Sequence, residues 1–405
     1  MERLFQQSIK DLGSFYKFSE EDLNILEDVD KAAEELAVPE FEHYIKREVN
    51  PEIQKIGKKY GIFKIPVSKE YGGYGAAPIV AVLAKERMGQ LGMGISSMYN
   101  VQTFICSLTL QHWGTEQQKE KYLKKAANGE IVLAFGLTEP EAGSDPESMK
   151  TTYEETKDGF TINGTKYLIT NGSIADAMII FAKSKEGKVT SFIIDTKSEG
   201  FSVAMHMSEK IGLFTSDTAM LQFDNLKVPK ENIIGEIGKG MHVAYSSLVN
   251  GRMGVASACI GVIESSLNAV EERARERVQH GKPIGKHQLI QKHIAEIRQN
   301  LEMARWPVYF AALRKEDFDK DRENKALIKE MDFRSSLAKK IASRLAFESA
   351  DRAVQVFGGF GYSLLSPVGK LFLDSRVARI YEGTDEIHEL KIAANVLGDD
   401  FKAFG

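Results

Sequence analysis

FTINGTKYLITNG, residues 160–172, alternates apolar and polar side chains and is rich in β-branched and aromatic residues, the pattern of a half-buried strand. Asn163-Gly164 inside it predicts a two-residue hairpin, because both residues tolerate positive φ. Similar short runs surround it: MIIFAKS (178–184), TSFIIDT (190–196), FSVAMHM (201–207) and TAMLQFDNLKV (218–228). No helical period intervenes from Ile131 to about Ile237, so the strands are expected in one antiparallel sheet or barrel, not in a doubly wound sheet.

Outward from this block the apolar period changes to that of helices. Leu23, Leu26 and Val29, then Ile79, Val80, Leu83 and Ala84, predict a helical region whose breaks fall at Ile65-Pro66 and at the glycine-rich YGGYG (71–75). Beyond Gly240 the period returns. Leu337, Ile341 and Leu345 lead to Val356, where Gly358-Gly359 predicts a helix stop, and the charged stretch 314–325 reads as a solvated connection between helices. The expected plan is an α+β chain of three blocks: a helical domain over 1–130, a β domain over 131–240 and a helical bundle over 241–405.

The 405 residues are 43% apolar and 27% charged, enough to bury more than one core, with a formal net charge of −4. That balance argues against nucleic acid or an anionic membrane as main partner, since either calls for a concentrated basic face. Cys106 and Cys259 are the two cysteines; with no CxxC spacing they suggest neither a disulfide framework nor a metal site. No run approaches the roughly 20 apolar residues of a membrane span, so a cytoplasmic setting is expected.

Four polar segments are candidates for chemistry. FGLTEPEAGSD (135–145) stands at the entry to the β block; Thr138, Ser144 and the loop amides could hold a ring or a phosphate, or cap a surface turn. GTKYLITNG (164–172) ends with Thr170 and Asn171, either facing the same ligand or closing an edge strand. QVFGGFGY (355–362) lacks the preceding strand that a dinucleotide fingerprint needs. In RIYEGTDEIHEL (379–390), Glu382 precedes a glycine, and an acid in that setting is commonly just a solvated loop residue.

Taken in order, HWGTEQQKEKYL (112–123), FGLTEPEAGSDPES (135–148), GTKYLITNG, RVQHGKPIGKHQLIQ (277–291), QVFGGFGY and IYEGT (380–384) closely resemble the acyl-CoA dehydrogenase family, over essentially the whole chain. The resemblance implies FAD as cofactor and Glu382 as the base that takes the α-proton of an acyl-CoA while hydride leaves the β-carbon. It implies flavin contacts at Phe135, Leu137, Thr138, Thr170, Thr384 and Glu386. Ser144 would lie near the pyrophosphate and the CoA arm, and Arg252 and Gly383 on the substrate side. Arg277, His280, Gln288, Gln355, Gly358 and Gly359 would reach a neighbouring subunit's cofactor in a homotetramer. It further implies β-oxidation of fatty acids, with an electron-transferring flavoprotein as acceptor; an oxidase, an enoyl-CoA reductase or a silent scaffold on the same fold are the alternatives.

Some members of that family carry the base on a helix, just before an arginine that corresponds to Arg252. That place is Gly251 here, so the resemblance is to the branch with the C-terminal base. The chain departs from the family pattern at Leu168, where an aromatic residue is common, at Val249, where an acid is frequent, and at Leu365. The segment 88–111, which resembles the wall of the acyl pocket, contains no Lys or Arg, so an uncharged acyl chain is expected.

Overall fold

A computed structural model of the chain describes residues 4–401 and 403; the outermost positions of the 1–130 and 241–405 blocks lie outside the described residues. The first helices are α1 (Leu4–Leu12), α2 (Glu20–Lys46) and α3 (Glu52–Lys59). Ser19 opens α2 with a capping box: its hydroxyl accepts from the Asp22 amide, and the Asp22 carboxylate accepts from the Ser19 amide. After two short 3₁₀ turns in the Pro/Gly stretch come α4 (Pro78–Gly89) and α5 (Met93–Asn100). A π-helical segment, Val101–Ser107, carries α5 into α6 (Leu108–Trp113), and α7 (Glu116–Gln118) and α8 (Lys124–Ala127) complete the region.

The strands are β1 (Leu133–Gly136), β2 (Thr152–Thr156), β3 (Gly159–Thr170), β4 (Ala177–Lys183), β5 (Val189–Asp195), β6 (Phe201–His206), β7 (Thr218–Pro229) and β8 (Ile233–Ile234). They form one sheet in the order β6-β7-β3-β2-β4-β5-β8, with β1 beside β4. It is mixed, not purely antiparallel as expected: β4 pairs in parallel with both β1 and β2. The hairpin expected at Asn163-Gly164 is also absent, because β3 runs straight through it. The chain reverses instead between Thr156 and Gly159, at Lys157-Asp158. Gly164 marks a register shift in the β3–β7 pairing, and a Cβ there would stand 2.6 Å from the Thr151 Cα. A close backbone approach, not a turn, therefore requires the glycine.

After the sheet come α9 (Gly240–Glu276), the two-stranded ribbon β9 (Val278–Gln279) and β10 (Lys282–Pro283), α10 (Gln288–Lys320), α11 (Lys325–Phe357), α12 (Pro367–Ser375) and α13 (Asp385–Leu397). The connection expected over 314–325 is there but shorter, residues 321–324 between α10 and α11: α10 runs to Lys320, and Lys315 is buried against Asp319. α9 is long and apolar enough to cross a membrane by length and composition, against the sequence expectation, yet most of that window is buried inside the protein. Its small residues let neighbours pack closely, Ala258 and Gly261 against α4 and Gly254 against Asn100 and Phe104, so the apolarity belongs to a core helix.

Residues of α2, α4 and α5 share one hydrophobic core with α9, α10 and α11, so the two helical regions are a single packed body. A second core joins α6 and α8 to one face of the sheet, and a third lies on the other face. The segment around Ile105 and Cys106 belongs to the second core, beside α9, and this is where sheet and helices meet.

Candidate active site

Glu382 sits in the turn between α12 and α13. Thr384 caps α13, its hydroxyl accepting from the Ile387 amide at 3.3 Å, and Arg379 Nε donates to Asp385 at 2.7 Å, so both ends of the turn are tied. Within it Glu382 has φ 56° and Gly383 φ 100°. A left-handed conformation is unusual for glutamate and persists only where the surroundings impose it. Lys339 of α11 imposes it in part by donating to the Gly383 carbonyl.

The turn aims the Glu382 carboxyl at α9. A Cβ placed on Gly251 would stand 2.4 Å from Glu382 Oε2 and 3.1 Å from Ile105 Cδ1, so the carboxyl occupies the room that the missing side chain leaves. Although the residue as a whole is half-buried, Oε2 is shut off from solvent and has no hydrogen-bond partner. Burial pushes its pKa up from 4.5 to about 7, and the cations Arg252 and Lys339 hold it back from rising further. An acid that ionises near neutrality, unpaired and beside a cation, has the properties of a general base.

Arg252 is no surface cation: it is 2% exposed, and its Nη1 donates to Asp332 at 2.7 Å. Asp332 also takes Lys391, at 2.9 Å from each carboxylate oxygen. Asn100, at the end of α5, donates from Nδ2 to the Gly251 carbonyl at 3.3 Å and closes the neighbouring turn of α9.

The 135–145 loop approaches the same place from the sheet. Buried Glu139 accepts from the Lys150 and Thr151 amides and from Lys166 Nζ at 2.7 Å; Lys166 also donates to the Leu137 carbonyl at 3.2 Å. The Tyr167 amide donates to the Thr138 carbonyl at 2.8 Å, which fastens the loop along β3. Phe135 and Leu137 pack in the same apolar cluster as Ile105, the residue at the Glu382 carboxyl. A bulge gives Leu168 φ 58° and leaves it 49% exposed between half-buried Tyr167 and buried Ile169. Asn171 faces inward instead of toward a ligand: Nδ2 donates to the Met98 and Leu133 carbonyls at 3.3 and 3.1 Å and staples α5 to β1.

Family models of the acyl-CoA dehydrogenase N-terminal, middle and C-terminal domains match residues 19–130, 134–226 and 238–397 in turn. The chain belongs to the acyl-CoA dehydrogenase family. It is 37% identical over 350 residues to an acyl-CoA dehydrogenase of Bacillus subtilis, covering 85% of this chain and 89% of that one. Its fold superposes on the butyryl-CoA dehydrogenase of Megasphaera elsdenii with a TM-score of 0.88 at 33% identity, covering 95% of this chain and 100% of that one. An acyl-CoA dehydrogenase of Bacillus anthracis complexed with FAD has a TM-score of 0.88 at 30% identity, covering 94% and 67% of the two chains.

FAD is the cofactor of the acyl-CoA dehydrogenase family, and the residues present fit it. The exposed Leu168 beside half-buried Thr138 and Thr170 gives an apolar face bordered by hydroxyls, which suits one side of a flat heteroaromatic ring. Where Gly358 and Gly359 end α11, nothing stands within 4 Å of a would-be Cβ, so a ligand's phosphates can approach the backbone closely.

The expected site residues fall into two groups. Glu382, Gly383 and Thr384 share the turn before α13, with Arg252 next to Gly251 on α9; Phe135 and Leu137 meet them through the apolar cluster of Ile105; half-buried Thr138 and Thr170 lie along β3, and Ser144 and Glu386 are exposed. Arg277, His280, Gln288, Gln355, Gly358 and Gly359 are all exposed, at the far ends of α9 and α11 and the start of α10. Among the described residues they share no hydrogen bond with the Glu382 turn or with the 135–145 loop. Val249, one of the expected departures from the family pattern, is buried with Phe318 and Met331 in a small apolar cluster.

Sequence reading missed buried Lys166, Lys339 and His388 and the half-buried Asp332. For Lys339 a signal existed: it lies on the same face of α11 as Ser335, Ala342, Ser343 and Ala346, a buried small-residue stripe where a lysine is out of place. No comparable signal marks Asp332, which is paired only through the fold.

Proposed function

We propose that this protein catalyses the α,β-dehydrogenation of an acyl-CoA thioester to the trans-2-enoyl-CoA, with Glu382 as the base. The α C–H bond breaks with its proton passing to a Glu382 oxygen, and the electron pair left behind forms the new double bond as the β-hydride departs. FAD, when bound, supplies the two-electron acceptor for that hydride. The observation that carries the reading is the orphaned, solvent-shielded carboxyl oxygen of Glu382, held over Gly251 by a turn that Lys339 and the α13 cap impose. A carboxyl with a pKa near 7 is poised to accept a carbon-bound proton at physiological pH.

On this reading Phe135, Leu137, Thr138 and Thr170 hold the flavin ring, Thr384 and Glu386 flank it, and Ser144, Arg252 and Gly383 serve the substrate. An uncharged acyl chain is favoured, because 88–111 contains no cation. Lys85, one turn earlier, is committed to the Ser96 carbonyl and the face of Tyr99, and burial drives its pKa far down, toward the neutral amine. The exposed group at Arg277, His280, Gln288, Gln355, Gly358 and Gly359 would contact the cofactor of another subunit in a homotetramer. Exposed Leu289 and Tyr362 beside it supply apolar surface for such packing. Electrons would leave to an electron-transferring flavoprotein.

The test is an anaerobic titration of the flavin-replete protein with saturated acyl-CoAs of graded length, beside Glu382→Gln. The expected result is bleaching of the visible flavin band by one length range in the wild type and binding without bleaching in the variant. Bleaching of the Gln variant at the wild-type rate would remove Glu382 from its role, and fast reduction by glutaryl-CoA would remove the uncharged-chain assignment.

A further inference from the structure

Glu382 and Arg252 are close enough for the guanidinium to be the leading charge acting on the carboxyl, yet no hydrogen bond or ion pair joins them among the described residues. Arg252 instead gives Nη1 to Asp332, and its Nε is buried with no partner. Asp332 is gripped from the other side by Lys391 of α13, the helix that follows the Glu382 turn. Such a geometry costs something, because an unpaired buried guanidinium nitrogen is unfavourable and the Glu382 oxygen is left unpaired as well. A buried arginine would ordinarily satisfy both by forming a forked pair with the glutamate.

We propose that Asp332, fixed by Lys391, is a positioning residue that holds the Arg252 guanidinium off Glu382, so that the carboxyl stays unpaired and free to take a proton from carbon. This rests on the reading of Glu382 as the base. The groups that face Glu382 are Arg252 from α9, Lys339 from α11, Cys106 from the π-helical segment and Tyr381 from its own turn. Those that face Arg252, besides Asp332 and Glu382, are Tyr245 on α9, Lys339 on α11 and His388 on α13. Tyr245 is committed to Glu147 at 3.0 Å, and burial holds His388 neutral with a pKa of about 2. Asp332 is thus the only carboxylate seen to bond Arg252 among the described residues.

When Asp332 loses its charge, the guanidinium is expected to turn to Glu382. An opposite charge at contact lowers a carboxyl pKa by about 1 to 3 units. The experiment is the pH dependence of flavin reduction by the best acyl-CoA in single turnover, for wild type, Asp332→Asn, Arg252→Met and the double variant. Asp332→Asn should move the acid limb down by about one unit or more and slow reduction at the plateau, since a paired carboxylate is a weaker base. In the double variant the limb should sit where Arg252→Met alone puts it, because the effect passes through the arginine. Asp332→Ser carries the same expectation and serves if the Asn variant does not retain flavin.

An acid limb that stays at the wild-type position in folded, flavin-replete Asp332→Asn or Asp332→Ser overturns the proposal, as does a shift that persists in full without Arg252. Neither result touches the base itself. That reading fails separately, if Glu382→Gln still reduces the flavin.

Discussion

Two solvent-shielded carboxyls show opposite uses of one ingredient. Glu139 in the sheet region has a lysine, Lys166, and the Lys150 and Thr151 amides on its oxygens. Those bonds outweigh burial and keep its pKa below the usual carboxylate range, while burial draws Lys166 down to about 8, so both are charged at neutrality. Glu382 also has two cations nearby, but neither is bonded to it, and its pKa rises to about 7. Complete pairing makes a rigid loop. Withheld pairing makes a carboxyl that can change its proton, at a cost in stability that the rest of the fold must offset.

The comparison breaks first at Glu139. Removing its charge by Glu139→Gln strands Lys166, which is fully buried, and loss of one partner of a buried pair costs about 3–5 kcal/mol. The urea midpoint of the holoprotein should fall accordingly and flavin should be retained poorly. An unchanged midpoint would mean that the 135–145 loop does not depend on the pair.

Glu382→Gln should do the reverse. Because the folded carboxyl binds its proton more tightly than the unfolded one, the folded state holds the extra proton between pH 4.5 and about 7, and stability falls as pH rises through that window. The wild type therefore carries a penalty of roughly 3 kcal/mol above pH 7 that the neutral amide lacks. The variant should be inactive and yet more stable at pH 8, with the advantage disappearing by pH 4. Equal denaturation midpoints at both pH values would contradict an elevated pKa.

Gly251→Ala separates placement from charge. The new Cβ would stand 2.4 Å from the Glu382 oxygen, so the carboxyl must move, and a displacement of that order costs about 100-fold in rate. An alanine in mid-helix gains up to about 1 kcal/mol of intrinsic propensity, so stability should hold while kcat collapses. A fall in Tm with kcat intact would show that the glycine serves helix packing only.

The three-block alternation was legible because periodicity is local: the strands and the long helix ending at Gly358 could be read from side-chain spacing. Family order, not any single residue, singled out Glu382, since an acid beside a glycine carries no information by itself. What stayed hidden is non-local. Asn163-Gly164 has the composition of a hairpin, but the Thr151 backbone lying against Gly164 decides its conformation, and nothing within a few residues encodes that approach. The apolar run of α9 satisfies a membrane criterion equally well until its neighbours are in place. Asp332 and Lys391 look like ordinary surface charges of two helices and become partners only when α9, α11 and α13 meet.

Lys339 tests the finest distinction, whether the catalytic turn needs its cation as a charge or as a hydrogen-bond donor. Burial pulls its pKa down to about 8, so it is protonated at pH 7 and loses its charge above pH 8. In Lys339→Met the charge that favours ionised Glu382 is gone, and the acid limb of flavin reduction should move up, by about one unit. Near pH 7 the ionised fraction then drops from about one half to about one tenth, a fivefold slowing. At pH 9 Glu382 is ionised in both proteins and the wild-type lysine is neutral, so an effect of charge should vanish and the two rates converge. A deficit that persists at pH 9 would assign the lysine's role to the Gly383 carbonyl it binds, and would place the turn's geometry above its electrostatics.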